Sequence, residues 1–250
     1  NNKCRMCGPE LSTQWYSDAK KLGQEIPKGI VVNPFIEKGD FSKLKYLKLL
    51  GGEPLLEQEK LIKILKQCNL SNLRVNLITN TTVVPNNELH ELFMQCKKVT
   101  VSLSIDSYGE LNEFLRKGSN WAQTVETMDW FRDRNYHLYV HSVASIYNCN
   151  QLDYLIDFCE SKGVRQKYVL IDGPTYMMPR NLPQPVKEKI VDNISLKIDK
   201  QAIYKVMINE LSKEGDYTKF VQQDNLMDDL RKENWREYNP QLQQLIDSSN

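Results

Sequence analysis

Residues 98–106 read Lys98-Val99-Thr100-Val101-Ser102-Leu103-Ser104-Ile105-Asp106. Val99, Val101, Leu103 and Ile105 alternate with Thr100, Ser102, Ser104 and Asp106. A period of two marks a strand whose apolar face packs on helices while its polar face looks into a barrel or cleft. Outward from this strand the same grammar repeats. Towards the N-terminus, the apolar run 44–50 and residues 74–79 read as strands, with helical patterns between and after them at 61–68 and 87–96. Towards the C-terminus, helix 121–134, strand 136–145, helix 151–161 and strand 167–171 follow. The connections are too long for hairpins, so the strands are expected to be parallel with helical crossovers. The fold class is α/β, and alternation alone permits either a partial barrel or a flat doubly wound sheet.

The ends differ in character. Residues 10–22 predict a helix, with Leu11, Trp15, Ala19 and Leu22 at helical spacing and Gly23 as its stop. A looser segment runs through Pro27, Gly29 and Pro34 to Gly39. From Pro183 onward helical patterns follow one another at 185–199, 200–213, 217–232 and 239–248, and this polar region reads as a helical cap. No repeat or low-complexity tract interrupts the chain.

Composition narrows the function. At 250 residues and 40% hydrophobic content the chain can bury a full core. Its net charge is +1 with both signs interspersed, which gives no electrostatic footprint for nucleic acid or an anionic membrane. No apolar run approaches the roughly 20 residues that span a bilayer. Six cysteines do not make a dense disulfide framework. Cys68, Cys96, Cys149 and Cys159 lie in or beside apolar stretches and read as buried thiols, which points to a reducing, cytoplasmic setting. His90, His137 and His141 have no metal-ligand spacing to one another.

Two loops carry the chemistry. Cys4-Arg5-Met6-Cys7, running into Gly8-Pro9, puts two sulfurs on one tight turn. Alone, such a C-x-x-C is half a zinc site, a redox pair or two unrelated thiols. Gly51-Gly52-Glu53-Pro54 follows the strand-like run 44–50 directly. Its glycines let backbone approach a ligand, and its carboxylate can take a hydrogen bond from a cationic amino group. A plain strand-to-helix turn explains the glycines but does not require Glu-Pro.

Together the two loops resemble the radical S-adenosylmethionine (radical SAM) enzymes, whose hallmark is C-x-x-x-C-x-x-C after the first barrel strand and G-G-E-P after the second. The resemblance implies a partial (β/α)6 TIM-like barrel over residues 1–182, lacking its first strand, and a helical extension over 183–250. The hallmark's first cysteine would fall immediately before Asn1, and the chain does not open on Met. It therefore implies an N-terminally truncated chain with two of three cluster cysteines, inactive as it stands.

By the same resemblance Cys4 and Cys7 ligate a [4Fe–4S] cluster, thiolate sulfur being the soft ligand iron prefers. Met6 takes the place of an aromatic residue that touches the adenine of S-adenosylmethionine. Gly51, Gly52, Glu53 and Pro54 hold its amino group. Ser104 and Asp106, at the end of the clearest strand, match a ribose-contacting motif. Arg116 fits a position that meets the cofactor carboxylate, or is an exposed helix-end arginine. Ser142 and Asn148 are further contacts, while Leu170 and Ile171 flank adenine or serve the core.

Asp172-Gly173-Pro174 and the segment to Pro183 look like the barrel exit of the SPASM/twitch branch. No cysteine follows Cys159, so no auxiliary cluster is expected. The implied activity is reductive cleavage of S-adenosylmethionine to a 5′-deoxyadenosyl radical that takes hydrogen from an unidentified peptide, protein or carbohydrate-like substrate. A reductant such as flavodoxin or ferredoxin would supply the electron. A degenerate, non-catalytic barrel that binds a partner and a zinc-stabilised α/β protein are the competing readings.

Overall fold

The computed structural model describes residues 2–27, 39–197 and 201–249. The loose segment expected around 28–38 and the meeting point of the two helices expected near 198–200 lie outside the described residues. Within them the strands are β1 (Lys3–Cys4), β2 (Tyr46–Leu49), β3 (Arg74–Thr79), β4 (Lys98–Ser104), β5 (Arg116–Lys117), β6 (His137–Ala144) and β7 (Arg165–Leu170). Five of them form one parallel sheet in the order β2-β3-β4-β6-β7, and β1 pairs antiparallel with β5. The α/β class holds, and the five strands read from sequence are the five of the sheet. No closed barrel forms among the described residues.

The alternation read over 98–106 is realised in β4, and β3 shows the same pattern. Val75, Leu77, Thr79, Val99, Val101 and Leu103 are buried, while Arg74, Asn76, Lys98 and Thr100 turn to the other face. The parallel register aligns Tyr46 with Arg74 and Arg74 with Lys98, then Lys48 with Asn76 and Asn76 with Thr100.

The chain divides into two compact units. The first comprises residues 1–104, 116–140 and 163–165. It holds α1 (Tyr16–Lys21), α2 (Gln58–Leu65), α3 (Asn87–Gln95) and α5 (Trp121–Asp133) beside its strands. Helix starts are set locally. Asn86 caps α3 by accepting from Leu89 N–H at 2.9 Å, and Asn120 caps α5 by accepting from Gln123 N–H at 3.0 Å. The helix expected over 10–22 is shorter. Ser12 instead caps a 3₁₀ turn at Thr13–Trp15 that leads into α1, because Pro9 and the exposed Leu11 leave no buried first turn.

The second unit comprises 105–115, 141–162 and 166–250. It contains α4 (Glu110–Leu115), α6 (Leu152–Ser161), α7 (Gln184–Ser195), α8 (Ala202–Leu211), α9 (Tyr217–Arg231), α10 (Trp235–Tyr238) and α11 (Pro240–Asp247). The helix expected over 239–248 is α11, with Asn239 accepting from Leu242 N–H at 3.0 Å, while α10 precedes it unanticipated. The late helices are bound into this unit by buried polar links. Tyr147 Oη donates to Asp224 at 2.5 Å, and Asn239 Nδ2 donates to the Tyr147 carbonyl at 2.7 Å. The fully buried Glu210 takes Arg180 at 2.5 and 3.0 Å and Lys213 at 2.9 Å. An aromatic cluster of Tyr147, Phe220 and Trp235 fills the space between these helices.

Candidate functional site

In the first unit the Cys4–Cys7 loop is a tight turn closed by Cys7 N–H donating to the Cys4 carbonyl at 3.2 Å. The same carbonyl accepts from the indole Nε1–H of the buried Trp15 at 2.8 Å. Ser12 Oγ holds the Asn2 carbonyl at 2.9 Å, and Lys3 pairs with Asp18 at 3.0 Å. Residues 12–18 thus clamp the thiol loop from one side. On the other, β5 pairs with β1 so that Arg116 lies opposite Cys4, its Nη1 3.9 Å from the Cys4 sulfur. A guanidinium there complements a thiolate, the form that ligates metal. Cys4 is buried and Cys7 half-buried, with Met6 half-buried between them.

The second loop leaves β2 through Gly51, whose φ of +130° is a conformation side chains resist. Glu53 is buried. Its Oε1 accepts from Leu55 N–H at 3.1 Å, capping the 3₁₀ turn Pro54–Glu57. Its Oε2 accepts from Asn80 N–H at 2.7 Å and Thr79 Oγ1 at 3.0 Å, so the carboxylate ties this loop to the end of β3. Burial pushes its pKa above the ordinary 4.5, against the lowering effect of these three donors. Just beyond, Thr81 has a φ of +69°, rare for a β-branched residue and costing on the order of 1–3 kcal/mol. It is held there by Thr79 Oγ1 on its N–H at 3.2 Å, by Thr124 at 3.0 Å and by Thr127 on its carbonyl at 3.0 Å. Ser104, half-buried at the end of β4, makes no side-chain hydrogen bond among the described residues.

In the second unit Asp106 is fully buried and its Oδ1 accepts from Val143 N–H at 2.9 Å. Asn148 is consumed by the protein. Its Oδ1 accepts from Ser145 N–H at 2.7 Å, and its Nδ2 donates to the Asp106 and Val143 carbonyls at 2.8 and 2.9 Å. Ser142 is buried, its Oγ accepting from Gln166 at 3.0 Å. The structure thus joins Cys4 to Arg116 in one unit and Asp106 to Asn148 in the other. The helix-end reading of Arg116 gives way to a strand, because β5 follows α4 without a break.

Sequence reasoning missed Trp15 as a clamp on the thiol loop and Thr79–Asn80 as the seat of the Glu53 carboxylate. The second had a visible signal, a Thr-Asn pair closing a predicted strand. Of the four cysteines read as buried thiols, Cys149 and Cys159 are buried, whereas Cys68 and Cys96 are only half-buried. Burial raises Cys149 and Cys159 to about 12 and Cys96 to about 11, far from reactive thiolates.

The donor chemistry can be weighed residue by residue. Two thiols on one turn suit two iron positions, and a desolvated carboxylate suits an ammonium group. No group of three or more His, Cys, Asp or Glu that could hold a metal is present among the described residues.

A thiol turn on the antiparallel β1–β5 pair, and a buried Gly-Gly-Glu-Pro carboxylate at the end of β2 of the parallel sheet, define a cofactor-binding class. The model of the radical SAM superfamily matches residues 1–158, and the chain belongs to that superfamily. Its members use a [4Fe–4S] cluster and S-adenosylmethionine. Among solved structures the chain is similar to native anSMEcpe with bound AdoMet, at 18% identity and a TM-score of 0.56, over 81% of this chain and 59% of that one. With AdoMet and the Cp18Cys peptide, anSMEcpe gives 17% identity and a TM-score of 0.51, over 78% and 55%. SuiB of Streptococcus suis bound to S-adenosylmethionine gives 16% identity and a TM-score of 0.49, over 80% and 42%. At these identities the likeness is one of fold, and the chain spans little more than half of anSMEcpe. No curated protein sequence matches it. No helix among the described residues is long and apolar enough to cross a membrane.

Proposed function

We propose that the chain forms part of an enzyme that reductively cleaves S-adenosylmethionine and directs the resulting radical at a C–H bond of its substrate. The observation that carries this reading is the buried Glu53 carboxylate, set on a Gly-Gly-Glu-Pro turn at the carboxyl end of a parallel sheet in a chain of this superfamily. When bound, the [4Fe–4S] cluster supplies the electron that breaks the sulfonium bond. Cys4 and Cys7 hold it, and the Arg116 guanidinium balances thiolate charge beside Cys4. Glu53 receives the cofactor's amino group, and its desolvated charge gains from any cation that arrives. Ser104 offers a hydroxyl that no described neighbour uses, and Asp106 and Ser142 are the buried polar groups that the family resemblance assigns to the cofactor in the second unit. Asn148 shapes the turn that holds Asp106, with no hydrogen-bonding capacity left for a ligand.

The SPASM/twitch-like branch is supported by the Cys-Arg-Met-Cys-Gly-Pro start and the Asp172-Gly173-Pro174 exit. In that reading residues 1–182 are the catalytic barrel, 183–250 a helical extension, and the protein works in the cytoplasm with a flavodoxin- or ferredoxin-type donor. A peptide substrate is supported by the peptide bound to anSMEcpe.

The test is 5′-deoxyadenosine formation, measured by mass spectrometry after anaerobic reconstitution with iron, sulfide, reductant and S-adenosylmethionine. It is run on the chain and on the chain preceded by one cysteine placed immediately before Asn1. Formation that depends on the added cysteine and on Cys4 and Cys7 supports the reading. A full cluster that yields no 5′-deoxyadenosine in either form overturns it in favour of a barrel that binds a partner.

A further inference from the structure

The open face of the β2–β4 sheet is cationic, and nothing among the described residues answers its charge. The register places Tyr46, Arg74 and Lys98 in one row, and Lys48, Asn76 and Thr100 in the next row towards the carboxyl ends. Lys48, Arg74 and Lys98 are exposed, and none forms an ion pair or a side-chain hydrogen bond with a described residue. Some cations elsewhere do pair: Lys60 with Glu57, Lys66 with Glu88, Arg132 with Asp129. No carboxylate occurs at any position of these three strands.

Asn76 Nδ2 reaches Tyr46 Oη at 3.4 Å and so ties the two rows together. The two rows lie two residues apart, about 6.6 Å, which matches the spacing of same-side side chains along an extended peptide.

We infer that this face binds an extended peptide segment bearing acidic side chains at alternate positions. Carboxylates would meet Arg74 and Lys98 in the first row and Lys48 in the second. The rows stand five and three residues before Thr79, which holds Glu53. The acidic side chains therefore sit about 17 and about 10 Å along the strands from the cofactor loop. Resting on the proposed radical SAM activity, this names the substrate as a peptide with acidic residues about three and five positions from the one that loses hydrogen. The binding itself needs neither cluster nor turnover.

Fluorescence anisotropy on the full chain tests it, with fluorescein-labelled (Gly-Glu)4 and (Gly-Gln)4 as probes. The acidic probe should bind and the glutamine probe should not. Lys48→Gln, Arg74→Gln and Lys98→Gln should each weaken binding roughly 1.5- to fivefold, as exposed pairs do, and the triple variant more than tenfold. Loss of the same charge at Lys63, Lys205 and Lys219, all exposed on helices, should change little. Equal binding of both probes, or equal loss from the control triple, overturns the proposal. Displacement of the probe by inorganic phosphate, but not by chloride of equal ionic strength, replaces carboxylate with phosphate as the preferred anion and overturns it too. Retained acidic-peptide binding without 5′-deoxyadenosine formation removes the radical activity and leaves the binding face standing.

Discussion

Substituting Glu53 by Gln separates the two forces that act on this carboxylate. Oε2 carries two donors, Asn80 N–H at 2.7 Å and Thr79 Oγ1 at 3.0 Å, and Oε1 carries Leu55 N–H at 3.1 Å. The glutamine oxygen can keep the Oε2 pair. Its NH₂ then faces the Leu55 N–H, so one buried donor is left without an acceptor, at about 1–3 kcal/mol. Opposing this, Gln carries no charge into a site where burial raises the pKa of Glu53 from 4.5.

The sign follows from linkage. With the folded pKa raised, the wild-type contribution is fully present below pH 4.5 and is lost as pH rises through the raised value. The glutamine variant has no such loss. Its stability deficit against wild type should therefore be largest near pH 4 and shrink towards neutrality. Urea unfolding followed by tryptophan fluorescence at several pH values reads the difference, and titrations common to both proteins cancel. A deficit that grows with pH would show that the three donors outweigh desolvation, and would refute the picture of a carboxylate awaiting a cation. Saturating S-adenosylmethionine should reverse the trend in wild type alone, because an ammonium beside Glu53 stabilises its charged form.

Cys7→Ala should prevent cluster assembly, and iron and sulfide assays after reconstitution check it; wild-type iron content would remove Cys7 from the ligand set. Trp15→Phe deletes the 2.8 Å hydrogen bond to the Cys4 carbonyl. It should cost about 1 kcal/mol in urea unfolding and speed iron loss to a chelator; unchanged loss would show the clamp to be idle. Asn148→Ala leaves Ser145 N–H and the Asp106 and Val143 carbonyls without their carboxamide partner. A destabilisation of at least about 2 kcal/mol is expected, and a stable variant with weakened S-adenosylmethionine binding would instead make Asn148 a direct contact.

What the sequence disclosed and what it withheld divide along one physical line. The strands of the sheet and the helices starting near 87, 121 and 239 depend on periodicity and on near neighbours, so they are legible in one dimension. The caps at Asn86, Asn120 and Asn239 are not read from it. Both site loops are local too, as a three-residue thiol spacing and a four-residue turn. The missing parts are contacts between distant positions. Arg116 reads as the end of a helix until β5 pairs it with Cys4, 112 residues earlier. Trp15 reads as one apolar point on a helical face until its indole nitrogen reaches the same residue.

Asn148 makes the converse point. Its place after the sixth strand suggests a ligand contact, and only its hydrogen bonds show that the carboxamide is already spent on Asp106, Val143 and Ser145. Glu53 is engaged almost as fully, yet differs in one respect that matters for function. Three donors satisfy its geometry without overcoming the desolvation of its charge, since the pKa remains raised. A neutral amide with three partners has nothing further to gain from a ligand. A buried carboxylate that still resists ionisation gains from every cation brought to it. On the proposed reading, Glu53 rather than Asn148 is therefore the residue with a charge left for a ligand to balance.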